Sequence, residues 1–130
     1  MSDKKRILIV DDDETVLQSL KRLLEVSSFE VLALSSARDI LRSIKSFKPD
    51  IILPDMLMPN LGGLEICQML NDDKEIQGIP IIMISALSGY ADIEKAYKLG
   101  VVGYFTKPYD FSKLLQEINK VIASKEGKAI

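Results

Sequence analysis

Apolar residues in this chain follow two rhythms that alternate from one end to the other. Five short runs are nearly continuous in apolar side chains: Ile7-Leu8-Ile9-Val10, Val31-Leu32-Ala33-Leu34, Ile51-Ile52-Leu53, Ile81-Ile82-Met83-Ile84 and Val101-Val102-Gly103-Tyr104-Phe105. Strands buried on both faces read this way. Between the runs the spacing becomes helical. Residues 14–26 place Val16, Leu17, Leu20, Leu23 and Leu24 on one amphipathic stripe. Ile40, Leu41, Ile44 and Phe47 form a second stripe, and Leu64, Cys67 and Leu70 a third. Ile93, Ala96 and Tyr97 form a fourth, and Phe111, Leu114, Leu115, Ile118, Val121 and Ile122 a fifth. Boundary signals accompany them. Ser36 with Asp39 has capping-box spacing, Pro49 forces a helix exit, and Gly62-Gly63 precedes the third helix. Ser88 and Asp110 stand where caps are needed, and Gly100 suits a C′ position. The alternation predicts an α/β fold, (βα)5, with a parallel sheet and right-handed crossover helices on both faces.

The 130 residues suit one domain, 1–130, with a core of about 5–123 and a frayed tail over 124–130. Net charge is −2 with 28% charged residues, so no basic field points to nucleic acid or to a membrane surface. No apolar run approaches the ~18–20 residues needed to cross a bilayer. The charged start, Met1 to Arg6, does not read as a signal peptide. Cys67 is the only cysteine, which excludes an intrachain disulfide and fits a reducing, cytoplasmic setting. Histidine is absent. A histidine base, ligand or internal phosphohistidine is therefore excluded, and carboxylates, hydroxyls and lysine must carry any chemistry.

Four of the strand runs end in such residues. The first stops at Asp11-Asp12, the third (after Pro54) at Asp55, the fourth at Ser85, and the fifth at Thr106-Lys107-Pro108. In a parallel sheet these ends share the edge where ligands bind. Three carboxylates there repel: unit charges ~4 Å apart cost roughly 4 kcal/mol at an effective dielectric of 20. A cation or bound protons must offset this. Oxygen-only ligands favour a hard ion, Mg²⁺ with Mn²⁺ as substitute. With Lys107 as a mobile positive charge and Ser85 as a donor, the set suits in-line phosphoryl transfer to a carboxylate. Singly, each feature has a plainer reading. The acidic run 11–14 opens a helix, Asp55 sits in a turn, Ser85 ends a strand, Lys107 is solvated and Tyr104 is packed. Order, spacing and strand-end placement together carry the signal.

The segments 7–13, 49–59, 81–86 and 103–108 together resemble the receiver domain of bacterial two-component response regulators, similar to the single-domain chemotaxis regulator. The resemblance runs from about Lys5 to Ala123. It implies a flavodoxin-like (βα)5 three-layer sandwich with strand order 2-1-3-4-5. It implies Asp55 as phosphoacceptor from the phosphohistidine of a partner histidine kinase or phosphotransfer protein. Asp12, Asp55 and the Leu57 backbone carbonyl would ligate Mg²⁺ directly, and Asp11 would hold it through water. Lys107 would pair with Asp55 and then with the phosphoryl oxygens. Ser85 would donate to the phosphoryl group, Ala86 would leave access, and Tyr104 would be the switch aromatic. Lys107-Pro108 would be a cis peptide. The output would be a changed face made by the fourth helix, fifth strand and fifth helix, a possible homodimer surface. Such a chain catalyses only its own phosphotransfer and autodephosphorylation.

Three features depart from the family pattern. Pro54 removes a ladder donor from an interior strand, at its last position. Ser85 stands where threonine is commoner. Leu57 and Leu87, two places after Asp55 and Ser85, cannot hydrogen-bond a hydrolytic water, which implies slow autodephosphorylation. Two other readings stand beside the receiver. One is a degenerate pseudo-receiver that only binds partners. The other is a haloacid dehalogenase-like phosphatase with Asp11 as nucleophile and Asp13 as acid/base, which lacks a late acidic motif where Lys107-Pro108 stands.

Overall fold

A computed structural model of the chain describes residues 4–126. Strand and helix alternate five times: β1 (Arg6–Val10), α1 (Glu14–Val26), β2 (Glu30–Leu34), α2 (Ile40–Phe47), β3 (Ile51–Pro54), α3 (Gly63–Asp72), β4 (Ile82–Ser85), α4 (Tyr90–Lys98), β5 (Gly103–Thr106) and α5 (Phe111–Lys125). β1 pairs in parallel with β2 and with β3, and β4 pairs in parallel with β5. Parallel bridges Ile52–Ile81 and Asp55–Ile84 join β3 to β4. The sheet order is thus the expected β2-β1-β3-β4-β5.

Alternate residues of the inner strands feed opposite layers. Leu8, Val10, Ile52 and Met83 pack with Ile40 and Ile44 of α2, Ile66, Cys67 and Leu70 of α3, and Ala96 of α4. Ile7, Ile9, Ile51, Leu53, Ile82 and Ile84 pack with Leu17, Leu20 and Leu24 of α1 and with Leu114, Ile118 and Ile122 of α5. A sheet between two helical layers results, as the apolar runs require. Cys67 is fully buried there, and burial pushes its thiol up to about 11, so it stays an inert packing group. Among the described residues no helix is long and apolar enough to cross a membrane.

Four boundary expectations need correction. The Ser36–Asp39 capping box does not form. Ser36 Oγ instead accepts from Arg38 N–H at 2.9 Å, closing a local turn, and Asp39 precedes α2 in the left-handed region with no side-chain cap bond. Ser88 does not cap α4, because Gly89 takes that position in extended conformation. The tail does not begin at 124: Ser124 and Lys125 are still helical, and the remainder of that expectation, 127–130, lies outside the described residues. The fifth strand also starts later than its apolar run, at Gly103. Other signals match. Asp110 accepts from the N–H groups of Ser112 and Lys113 at the start of α5. Gly100, at φ 97°, closes α4 with the paired bonds Gly100 N–H to Tyr97 and Val101 N–H to Ala96.

Pro54 leaves a mark on the sheet. Ile52 N–H donates to Pro80 C=O at 3.0 Å, and Met56 N–H donates to Ile84 C=O at 2.8 Å. By that alternation residue 54 would donate to Ile82 C=O, and proline has no N–H to give. The other side of β3 keeps its bond at the site, Asp55 N–H to Val10 C=O at 2.8 Å.

Candidate functional site

The C-terminal ends of β1, β3, β4 and β5 bring together residues that are far apart in sequence. Asp11 follows β1 directly, and its N–H donates to Leu34 C=O of β2 at 3.1 Å. Asp55 follows Pro54. One carboxylate oxygen from each of Asp11, Asp12 and Asp55 lies within 4.8 Å of the others. Asp11 and Asp55 are buried, and Asp12 is exposed. Lys107 follows β5, and its N–H donates to Ser85 C=O at 2.7 Å. Its Nζ reaches Asp11 Oδ2 and Asp55 Oδ2, each at 2.7 Å. The Lys107–Pro108 peptide bond is cis.

The remaining lone pairs are partly engaged. Asp55 Oδ1 accepts from Leu57 N–H at 3.0 Å, and Asp11 Oδ1 from Asp13 N–H at 2.9 Å. Burial raises the Asp55 carboxyl above the ordinary carboxylate range. The Lys107 and Leu57 hydrogen bonds oppose that rise, and the Asp11 charge adds to it. Burial pulls the Lys107 ammonium the other way, but Asp11 and Asp55 outweigh it and hold its pKa above the usual lysine value. Three carboxylates against one ammonium leave a negative pocket whose candidate metal donors are all oxygens. Its donor chemistry fits a hard divalent cation.

Ser85 and Tyr104 converge on the loop after β4. Ser85 is fully buried, and its Oγ accepts from Leu87 N–H at 3.0 Å. Tyr104 O–H donates to Leu87 C=O at 2.6 Å and lies 3.5 Å from Met56 Sδ. Leu57 stands half exposed at the rim. Ala86 follows Ser85 at the loop's start.

Two residues here, Met56 and Tyr109, went unremarked in the sequence, and Leu87, noted there only beside the path of water, is held at both its N–H and its C=O. Met56 touches the Tyr104 hydroxyl. Tyr109 is packed edge-on to Phe105, with ring centroids 6.5 Å apart. Burial raises the Tyr109 phenol, with Lys107 lowering it and Asp11 raising it. Only Tyr109 had a cue, its place two residues after Lys107. Asp13 turns away from the pocket: its Oδ1 accepts from Thr15 and Val16 N–H and caps α1. The acid/base role of the hydrolase reading is thereby left to a carboxylate committed to a helix end.

The family model for the response regulator receiver domain matches residues 7–119, and the chain belongs to that family. It is 36% identical over 118 residues to protein PilH of Pseudomonas aeruginosa, covering 91% of this chain and 98% of PilH. It is 35% identical over 115 residues to heme response regulator HssR of Staphylococcus saprophyticus, covering 88% of this chain and 50% of HssR. The chain thus spans about half the length of HssR, and 51% of transcriptional regulatory protein CseB of Streptomyces coelicolor. Its fold superposes on a CheY-like response regulator receiver domain protein from Methanospirillum hungatei with TM-score 0.88 and 29% identity, over 96% of this chain and 98% of that one. It is a signalling domain of two-component systems rather than a metabolic enzyme.

Proposed function

We propose that Asp55 accepts a phosphoryl group from the phosphohistidine of a partner histidine kinase or phosphotransfer protein, and that the resulting acyl phosphate switches the surface of α4, β5 and α5. The observation that carries this reading is the bridging lysine: Lys107 Nζ sits 2.7 Å from both Asp11 and Asp55, from the opposite side of the β3–β4 seam. An ammonium so placed follows the charge from carboxylate to phosphoryl oxygens without a new group entering.

Asp12, Asp55 and the Leu57 carbonyl would hold Mg²⁺ in this reading, and Asp11 would act through water. When bound, the ion neutralises oxygens of the transferring group. One Asp55 carboxylate oxygen attacks phosphorus in line as the N–P bond to the donor imidazole breaks. Lys107 moves its hydrogen bonds toward the phosphoryl oxygens. Ser85 turns its hydroxyl from Leu87 N–H to the phosphoryl group, which frees the loop that Tyr104 grips through Leu87 C=O. Phosphorylation thus biases a two-state element by a local charge change. Homodimerisation through the α4, β5 and α5 face, and a cytoplasmic location, belong to the same proposal. The complete acidic set and the seated lysine favour it over a degenerate pseudo-receiver.

Incubation with acetyl phosphate and Mg²⁺ tests the reading by intact mass. The chain should gain one phosphoryl group, and Asp55→Asn should gain none. Label on Asp11 would support the hydrolase, and absence of label with no beryllofluoride binding would support the pseudo-receiver.

A further inference from the structure

The β3–β4 seam divides the site. Asp11, Asp12 and Asp55 stand on the β1–β3 side, and Ser85, Tyr104 and Lys107 stand on the β4–β5 side. Pro54 lies on this seam one residue before Asp55. The bond it cannot make, to Ile82 C=O, is the middle one of the three that residues 52, 54 and 56 would donate across the seam, while the parallel bridges Ile52–Ile81 and Asp55–Ile84 keep the donors that run the other way. Ile52 to Pro80 remains below it, and Met56 to Ile84 remains above it. Above the gap, at the level of the site, Met56 to Ile84 is the tie between the peptide after Asp55 and the residue before Ser85. Any approach of the Ser85 hydroxyl to a group on Asp55 runs across this weakened stretch.

We infer that Pro54 is a positioning residue: by removing the central bond of the seam, it lets the Ser85–Lys107 half of the site close on a phosphoryl group carried by the acidic half. This rests on the reading of Asp55 as phosphoacceptor. It separates two ligands. A cation held by Asp11, Asp12 and Asp55 takes its ligands from one side of the seam. A phosphoryl group must be touched from both sides, and so depends on how far the seam yields.

The seam itself is tested on the native chain by amide exchange. Met56 and Asp55 are adjacent and equally buried, at 6% exposure each. Asp55 N–H belongs to the continuous β1–β3 ladder, whereas Met56 N–H spans the seam. Met56 should be the less protected by about fivefold, the net worth of one hydrogen bond. Equal protection would overturn the inference.

Pro54→Ala restores the donor. Met56 should gain protection, beryllofluoride should bind about fivefold more weakly, and Mg²⁺ affinity should stay unchanged. Equal or tighter beryllofluoride binding would overturn the positioning role, as would Mg²⁺ and beryllofluoride affinities falling together, which marks a merely structural effect. If neither protein bound beryllofluoride, the receiver reading would fall and this role with it, whereas normal binding by both at equal affinity removes Pro54 alone.

Discussion

Tyr104 and Leu87 are tied hydroxyl to carbonyl at 2.6 Å, while the N–H of the same Leu87 donates to Ser85 Oγ at 3.0 Å. Both residues expected to switch therefore act on one loop residue. Tyr104→Phe removes the carbonyl tie and leaves the ring in place. It should cost about 1 kcal/mol in denaturant stability and raise amide exchange over residues 86–89. Unchanged exchange there would show that Ser85 alone holds the loop.

Leu57 is 50% exposed beside the acceptor, and Leu87 lines the same groove. Neither side chain offers a donor or acceptor to water attacking an acyl phosphate. The phosphorylated chain should decay slowly. Leu57→Asn or Leu87→Glu should shorten its lifetime roughly tenfold, which corresponds to about 1.4 kcal/mol of barrier. Decay of the purified phosphoprotein, followed by intact mass, gives the rate. Fast decay in the native chain that neither substitution changes would contradict this.

What the sequence made legible was the chemistry at strand ends, because the position of a residue in a parallel strand is set by the strand itself. Asp11, Asp55, Ser85 and Lys107 each terminate or follow an apolar run, so the common edge was readable before any contact was known. Asp110 was readable as a cap for a local reason, since its carboxylate reaches N–H groups two and three residues on. Ser36 had the same kind of local pattern and another outcome, because a turn onto Arg38 N–H competes with capping. Ser88 lost its place because the helix begins one residue later than its pattern suggests, with Gly89 in extended conformation at the N-cap. The Tyr104–Met56 contact joins a β5 residue to the loop after β3, 48 residues apart, which no periodicity describes. Pro54 was readable as a lost donor. Which carbonyl it abandons required the β3–β4 register.

Gly62 and Gly63 differ in what a side chain would meet. A Cβ at Gly62 would lie 2.4 Å from the Met56 carbonyl oxygen, a backbone atom of the acceptor loop. At Gly63 the nearest atom, also at 2.4 Å, is Met83 Sδ, the movable part of a flexible side chain, with Asp55 O next at 3.0 Å. Gly62→Ala should therefore cost the more, about 1–3 kcal/mol, and weaken beryllofluoride binding by displacing Met56 and Leu57. Gly63→Ala should cost less, as Met83 changes rotamer. Thermal unfolding of the two variants, with and without beryllofluoride, ranks them.

Asp55 carries a pH signature whose sign follows from its burial. Its folded-state pKa is raised above the ordinary carboxylate value, burial outweighing the Lys107 and Leu57 hydrogen bonds. The folded chain therefore holds this proton more tightly than the unfolded chain does. Its favourable contribution is fully present below the ordinary carboxylate pKa and is lost as pH rises through the raised value. Near neutral pH and without divalent metal, the charged Asp55 costs stability relative to a neutral isostere. Asp55→Asn should then melt higher than the native chain, and that gain should shrink as pH falls toward about 4. Mg²⁺ should reverse the order at neutral pH, since a ligand of the folded state stabilises the chain that keeps all three carboxylates. A native chain that melts above Asp55→Asn at neutral pH without metal would show that the Lys107 pairing outweighs burial.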